Sequence, residues 1–342
     1  MIKRILIVGL GSIGKRHLSI ARELLPQAEI AVLRHKVDRT IPDGADHIFS
    51  TMVEALAFTP QLAVIANPAT FHLSAAMPLA EIGVHLLIEK PLSATSEGVE
   101  ELLETCKKTD AVLAIGYNLR FLQSLQKFKS ILDDQVIGDV WSVRSEIGQY
   151  LPSWRPDSDY QKGVSAQHAL GGGSLLELSH EIDYLRWIFG EVDWVQAILT
   201  QQSDLAIDVE DTAHLILGFV SNGSERPLVA SVNLDFIRQD TMRLCTAIGS
   251  LGSLRWNGIT GIVESWALGT TGWQEIYKHQ ATRDESYVEE WKHFIACIKQ
   301  PSQPFITGED GLRVLQIIEA ARLADNSKSQ VKIGGLNESR EL

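Results

Sequence analysis

Lys90 stands in "IEKPLS", residues 88–93, where an apolar run meets a proline. An ammonium at the end of a buried strand can hydrogen-bond a reacting oxygen, stabilise charge developing on it and share in proton transfer. A second group lies in "GGGSLLELSHEIDYLRWIFG", residues 171–190. On a helix over 174–189, Glu177, His180 and Asp183 fall at i, i+3 and i+6, so neighbours share a face. Histidine changes charge near neutral pH and suits reversible acid–base work. Glu177 reads either as a second acid–base group or as a carboxylate that orients His180. Plainer readings stand beside these: a surface lysine capping a strand and a satisfied core histidine.

The third group is backbone. In "RILIVGLGSIGKRHL", residues 4–18, Gly9, Gly11 and Gly14 follow an apolar strand and open a helix. That is the context in which G-x-G-x-x-G binds a dinucleotide. The first glycine permits a tight turn, the second lets backbone approach a pyrophosphate, and the third allows close helix–strand packing. The loop around Ser12 and Ile13 and the helix N-terminus supply N–H groups and a partial positive charge. An acidic residue about 20 positions on would hold a ribose hydroxyl. The second strand ends instead in "AVLRHK", with Arg34 and His35 followed by Lys36. These cations suit a 2′-phosphate, so NADP is favoured slightly over NAD; three solvated strand-end charges are the alternative.

The elements that must carry these groups follow from hydrophobic patterning. Apolar runs at 5–8, 30–33, 62–66, 84–88 and 111–115 alternate with helical patterns at 14–25, 51–58, 70–83 and 95–108. That alternation predicts a doubly wound parallel sheet, a Rossmann-type α/β domain, over residues 1–118. Lys90 then ends a strand at the carboxyl edge, where open α/β sheets bind ligands. Residues 119–342 read as an α+β domain with a large, mostly antiparallel sheet. It has a helix over 119–133, a strand over 139–149, a long loop over 150–173 and alternating segments from 192 to about 265. Helices return at 285–299 and 308–324, and the last residues read as a frayed tail.

Bulk composition narrows the function classes. The 342 residues carry 31 basic and 43 acidic side chains, a net charge of −12, and show no basic block, which argues against a duplex nucleic-acid binder. Cys106, Cys245 and Cys297 match no zinc or redox spacing, so they read as reduced thiols, with no metal expected. No cleavable leader is legible and no run reaches the roughly 18 apolar residues of a membrane span, so the cytoplasm is the default.

Together with the glycine loop, "ANPATFH" at 66–72, "IEKPLS", "GYNLRF" at 116–121 and the triple-glycine stretch resemble one family. It is that of glucose–fructose oxidoreductase, inositol dehydrogenase and rhizopine catabolism proteins, and the resemblance covers nearly the whole chain. It implies NAD(P)-dependent hydride transfer at a carbinol carbon of a sugar, cyclitol or nucleotide sugar. Lys90 matches the family's catalytic lysine and His180 its histidine. The family's commoner pattern has Asp four residues before that histidine. Leu176 stands there, and Glu177, three before, reads either as the replacement for that Asp or as a structural carboxylate that orients His180. By position, Asn67, Pro68 and His72 should edge the cofactor, with Glu89 near its ribose. Tyr117, Asn118 and Arg120 should face the cleft, Arg120 being equally readable as a salt-bridge residue. "SWRP" resembles a Trp–Arg pair that places Trp154 and Arg155 against the nicotinamide. Arg155, Lys162 and Asp183 are the further substrate candidates. The sequence thus reads as a two-domain dehydrogenase, a homodimer or homotetramer through its C-terminal sheet. A cofactor-retaining glycoside hydrolase and a non-catalytic nucleotide sensor remain as alternatives.

Overall fold

The computed structural model describes residues 2–34, 40–221 and 227–333. The chain divides into two compact units: Met1–Asn118 with Asp284–Leu315, and Leu119–Arg283 with Gln316–Leu342. No helix among the described residues is long and apolar enough to cross a membrane.

The first unit opens with β1 (Arg4–Val8), α1 (Ser12–Leu24), β2 (Glu29–Leu33), β3 (His47–Phe49) and α2 (Met52–Ala57). It continues through β4 (Leu62–Ile65), α3 (His72–Glu81), β5 (His85–Ile88), α4 (Val99–Lys108) and β6 (Leu113–Ile115). The second unit follows with α5 (Gln123–Asp133), β7 (Val140–Gly148), α6 (Ser174–Glu177) and α7 (His180–Phe189). Its sheet grows by β8 (Val192–Thr200), β9 (Thr212–Phe219), β10 (Val229–Asp235), β11 (Met242–Gly249), β12 (Gly252–Asn257), β13 (Ile262–Ala267) and β14 (Gln274–Lys278). Helix α8 (Glu285–Lys299) belongs to the first unit, α9 (Gly308–Ser327) contributes to both, and β15 (Val331–Lys332) closes the second sheet.

In the first unit six strands run parallel in the order β3-β2-β1-β4-β5-β6. That is the dinucleotide-binding order, whose direction reverses between β1 and β4. The central strands are apolar throughout because helices cover both faces. On one face Ile5 and Ile7 pair in register with Ile30 and Val32 of β2, and with Leu62 and Val64 of β4. Trp291, Phe294 and Ile295 of α8 join this cluster, so a segment late in the chain completes the sheet's cover. Each such fully buried aliphatic side chain contributes about 1.5–3 kcal/mol. Two helix starts differ from the expected ones. Helix α1 begins at Ser12, two residues early, because Gly11 is its N-cap. Helix α4 begins at Val99, four residues late, because Gly98 takes a left-handed conformation with φ 75°.

The second unit is a nine-stranded sheet in the order β14-β13-β12-β11-β7-β10-β9-β8-β15. It is mostly antiparallel, with β7 and β10 paired in parallel at its centre. Strand β14 escaped sequence reading because its residues are largely exposed and polar at the sheet's edge. Helix α5 packs on the sheet, where the Trp256 indole donates to Ser124 Oγ at 3.0 Å. Tyr184 of α7 shares a 2.7 Å hydrogen bond with Ser145 of β7, so the polar tips of these buried aromatics are satisfied. The helix expected over 174–189 is broken. Leu178 and Ser179 separate α6 from α7, and the chain tightens there to i→i+3 bonds, Ser179 N–H to Leu176 and Glu181 N–H to Leu178.

Glycine is required where three backbones meet in the first unit. Gly9 has φ 89°, and a Cβ on it would lie 2.7 Å from the Ala66 carbonyl oxygen and the Asn67 nitrogen. A Cβ on Gly14 would run into the Gly9 carbonyl oxygen. Gly14→Ala is therefore expected to lower Tm by at least about 3 °C through overpacking of backbone that has no side chain to yield. A thermal melt checks this; an unchanged Tm would show that the loop relaxes freely.

Candidate active site

Strands β1 and β4 point their carboxyl ends at the place where the sheet order reverses. The loop after β1 turns at Gly9 and delivers Gly11 to the N-terminus of α1. A Cβ on Gly11 would meet nothing within 4 Å. The helix has no side-chain cap and no acidic residue in its first turn. Exposed Ser12 and half-buried Ile13 complete that turn. Open space facing uncapped amides at a helix N-terminus is what a pyrophosphate needs, so the cradle fits a dinucleotide.

The loop after β4 supplies the opposite wall. Asn67 Nδ2 donates to the Phe71 carbonyl at 3.3 Å, and half-buried Pro68 precedes the short turn Ala69–Phe71. Asn67 Oδ1 is buried with no hydrogen-bond partner among the described residues. A buried acceptor left open beside Gly9 fits a ligand donor. His72 does not edge this space. Its ring is buried, with Nε2 2.8 Å from the Asn67 carbonyl and Nδ1 3.0 Å from that of Pro91. Burial holds its pKa below the ordinary value, and a neutral ring donates to one of these carbonyls at a time. The imidazole is thus a clamp between the β4 loop and the loop that carries Lys90.

Glu89 and Lys90 follow β5. Glu89 is buried against Gly116, where even a methyl group would come within 3.2 Å of its carboxyl. Its Oε1 accepts from His17 Nε2 at 2.7 Å and its Oε2 from the Lys90 backbone N–H at 3.1 Å. Burial alone pushes this carboxyl up. The His17 hydrogen bond and the charge of Lys90 outweigh that and hold it below the usual carboxylate value. With both oxygens engaged inside the protein, Glu89 supports Lys90. Lys90 precedes a cis proline and is half-buried at the carboxyl edge. Arg34 directly follows β2, its N–H donating to Phe49 and its Nε buried, so the side chain lies against the protein. His35 lies outside the described residues.

Two residues expected in a cleft are inside the first unit. Tyr117 is fully buried, and Asn118 Nδ2 donates to Ser286 Oγ at 2.7 Å. The strand end they follow is covered by the start of α8, an element remote in sequence.

The second unit corrects the substrate candidates in the same way. Arg120 and Asp183 hold each other, Nε to Oδ2 at 2.9 Å and Nη2 to Oδ1 at 2.6 Å, with both side chains buried. The pair anchors the first turn of α7. Removing either partner would strand a buried charge at a cost of about 3–5 kcal/mol. His180 is the first residue of α7 and half-buried Glu177 the last of α6. The chain passes between them through the i→i+3 bonds of Ser179 and Glu181. Trp154 donates its indole N–H to Gln149 at 3.0 Å and packs edge-on against Phe236. Arg155 is exposed. Lys162 is largely exposed and pairs with Asp159 of its own turn at 3.1 Å. Sequence reading missed His17, Trp291 and Tyr287 around Glu89. The spacing of His17, one turn after Gly14, was the available signal, since it puts the side chain beneath the glycine loop.

Two family models match this chain. Residues 3–117 match an oxidoreductase family's NAD-binding Rossmann fold, and residues 129–333 match the same family's C-terminal alpha/beta domain. Myo-inositol 2-dehydrogenase of Thermotoga maritima is 26% identical, the alignment covering 96% of this chain and 98% of that protein. A levoglucosan dehydrogenase solved in complex with NADH superposes with a TM-score of 0.83 at 20% identity, covering 97% of this chain and 99% of that one. The WlbA dehydrogenase of Bordetella pertussis, solved with NADH and UDP-GlcNAcA, gives 0.79 at 20% identity over 97% and 99%. The chain belongs to the oxidoreductase family of glucose–fructose oxidoreductase, inositol dehydrogenase and rhizopine catabolism proteins.

Gly11→Val separates cradle from scaffold. A Cβ at Gly11 meets nothing within 4 Å and the backbone there is not left-handed, so the fold should survive. The isopropyl group would occupy the pyrophosphate's approach, so NADH binding should vanish. Calorimetry on the folded variant checks this, and unchanged affinity would show that the loop holds no dinucleotide.

Proposed function

We propose that this chain moves hydride between a nicotinamide dinucleotide and a hydroxyl-bearing carbon of a sugar, cyclitol or nucleotide sugar, with Lys90 as the principal acid–base residue. The observation that carries the reading lies within the first unit: the open glycine cradle and Lys90 share the carboxyl edge of one parallel sheet. Gly9, Gly11, Gly14, Ser12, Ile13 and Asn67 hold the dinucleotide, which when bound supplies the two-electron acceptor or donor. In the oxidative direction Lys90 Nζ hydrogen-bonds the reacting hydroxyl and takes part in removing its proton. In reduction it stabilises charge on the carbonyl oxygen and returns the proton. His180 is the second acid–base group, with Glu177 orienting it. Exposed Arg155 is the remaining cation for a charged substrate group. The relatives named as inositol and levoglucosan dehydrogenases, and the dehydrogenase solved with UDP-GlcNAcA, support this substrate class.

Arg34 makes NADP the slightly favoured dinucleotide, as a cation held at the end of β2 where an acidic residue would select the free ribose. Cytoplasmic location is part of the same reading. So is a homodimer or homotetramer through the large sheet, where Ile198 of β8 and Ile216 of β9 are exposed near one another on one face.

Two experiments test the proposal. Lys90→Met keeps an apolar stem but removes the ammonium, so cofactor should bind while turnover falls at least about a hundredfold. His180→Asn should slow turnover and remove a limb of the pH–rate profile, and the double variant should be little worse than the worse single. Kinetics on a panel of myo-inositol, levoglucosan and UDP-sugars check this. Near-wild-type turnover by Lys90→Met would refute the assignment. Arg34→Asp should cost NADP at least about 2 kcal/mol of binding through a lost ion contact and a gained repulsion. An unmoved ratio of NADP to NAD affinity would make Arg34 merely a solvated strand-end charge.

A further inference from the structure

His17 lies fully buried on α1, one turn past Gly14. Its Nδ1 accepts the indole N–H of Trp291, from α8, at 2.8 Å. An indole nitrogen only donates, so His17 Nδ1 carries no proton and the ring N–H sits on Nε2. That N–H points at Glu89 Oε1, 2.7 Å away, and the other carboxyl oxygen accepts the Lys90 backbone N–H. A continuous chain of hydrogen bonds thus runs from α8 through the glycine-loop helix to the base of Lys90. We infer that His17 is a positioning residue, which through one imidazole tautomer fixes the Glu89 carboxylate and couples the orientation of the phosphate-binding helix to Lys90. This rests on the reading of Lys90 as the acid–base residue.

The surroundings leave this route little freedom. Gly116 closes off one side of the Glu89 carboxyl. Tyr287 meets the His17 ring edge-on at 5.9 Å, and Arg16 lies 4.7 Å over Tyr287 while pairing with Asp284. The groups facing Glu89 are His17 from α1, His72 from α3, Lys90 beside it, and Tyr287 and Glu290 from α8. Glu290 is buried, with neither oxygen partnered among the described residues. Burial and then the charge of Glu89 push its pKa well up, so of the two carboxyls Glu89 is the charged one. A buried anion of this kind depends on its donors. Without His17, Glu89 keeps the Lys90 backbone N–H as its one hydrogen-bond donor among the described residues. The first turn of α1, which would hold a dinucleotide, is thus joined to the Lys90 backbone by a short covalent and hydrogen-bonded path through His17 and Glu89.

The test compares wild type with His17→Leu, His17→Gln, Trp291→Phe and Lys90→Met. The probes are NADH, titrated by fluorescence, and the best-oxidised sugar of the panel above. His17→Leu should lower kcat at least about tenfold, the loss expected of one charge-assisted hydrogen bond, while NADH affinity barely changes. His17→Gln keeps an amide N–H near the position of Nε2 and should restore most of kcat. The pH profile adds a readout that loss of packing alone would not move. His17 lowers the Glu89 pKa in the folded protein, so its loss raises that pKa and the carboxylate protonates at higher pH. The acid limb of kcat should therefore shift to higher pH in His17→Leu and stay in place in His17→Gln. Nitrogen-15 spectra of the histidines should show His17 protonated on Nε2, with that preference weakened in Trp291→Phe. The spectra need no substrate and no leucine variant. An Nδ1–H tautomer for His17 overturns the inference, as does full activity of His17→Leu beside an inactive Lys90→Met. Equal losses in His17→Leu and His17→Gln, with no shift of the acid limb, also overturn it. Wild-type turnover by Lys90→Met removes the underlying reading and the inference with it.

Discussion

The first unit depends on backbone touching backbone at two glycines. Gly14 lets α1 settle against the Gly9 carbonyl, and Gly9 lets the turn lie against Ala66 and Asn67 at the end of β4. No side chain mediates these contacts, so the distance between helix and sheet is set by bare main chain. That distance puts the first-turn amides of α1 at the sheet's edge. It also brings His17 within hydrogen-bonding reach of Glu89 after β5. One steric condition therefore places both the anion cradle and the support of Lys90.

Polar groups in both units are organised on the same principle, since a buried charge must be paired or fully hydrogen-bonded. Glu89 is held by His17 and the Lys90 backbone in the first unit. Arg120 and Asp183 neutralise each other under α7 in the second. These residues lie next to the proposed chemistry in sequence, yet their side chains are committed to holding backbone in place. Lys90 and His180 are presented by such supported segments, and precise presentation of acid–base groups is what rate acceleration requires.

Much of this was legible in the sequence. Period and run length revealed the parallel sheet, and strand context gave the glycines their meaning. Helix α8 was readable to the residue because its apolar face is strongly periodic. What failed did so for identifiable reasons. The break between α6 and α7 involves Leu178 and Ser179, neither of which is a helix breaker; only the i→i+3 bonding reveals it. Asn118 and Asp183 are residue types that serve equally in a pocket or a core, and partners distant in sequence decided the matter: Ser286 for Asn118, and Arg120 for Asp183, an ion pair that agrees with one of the two readings Arg120 had. His72 and Glu89 sat in the right loops, but their hydrogen bonds turn inward. Trp291, more than 270 residues from the His17 it orients, could be paired with it only by the fold.

Hydride transfer at a carbinol carbon is the claim on which the functional reading stands, and isotope tracing reaches it directly. The protein would be incubated with NAD or NADP and a polyol or sugar carrying deuterium on its carbinol carbons, and the reduced cofactor analysed by mass. Deuterium in NAD(P)H, one atom for each molecule of ketone formed, is the predicted result. Deuterium retained in the substrate pool or released to water, with no labelled cofactor, would contradict it.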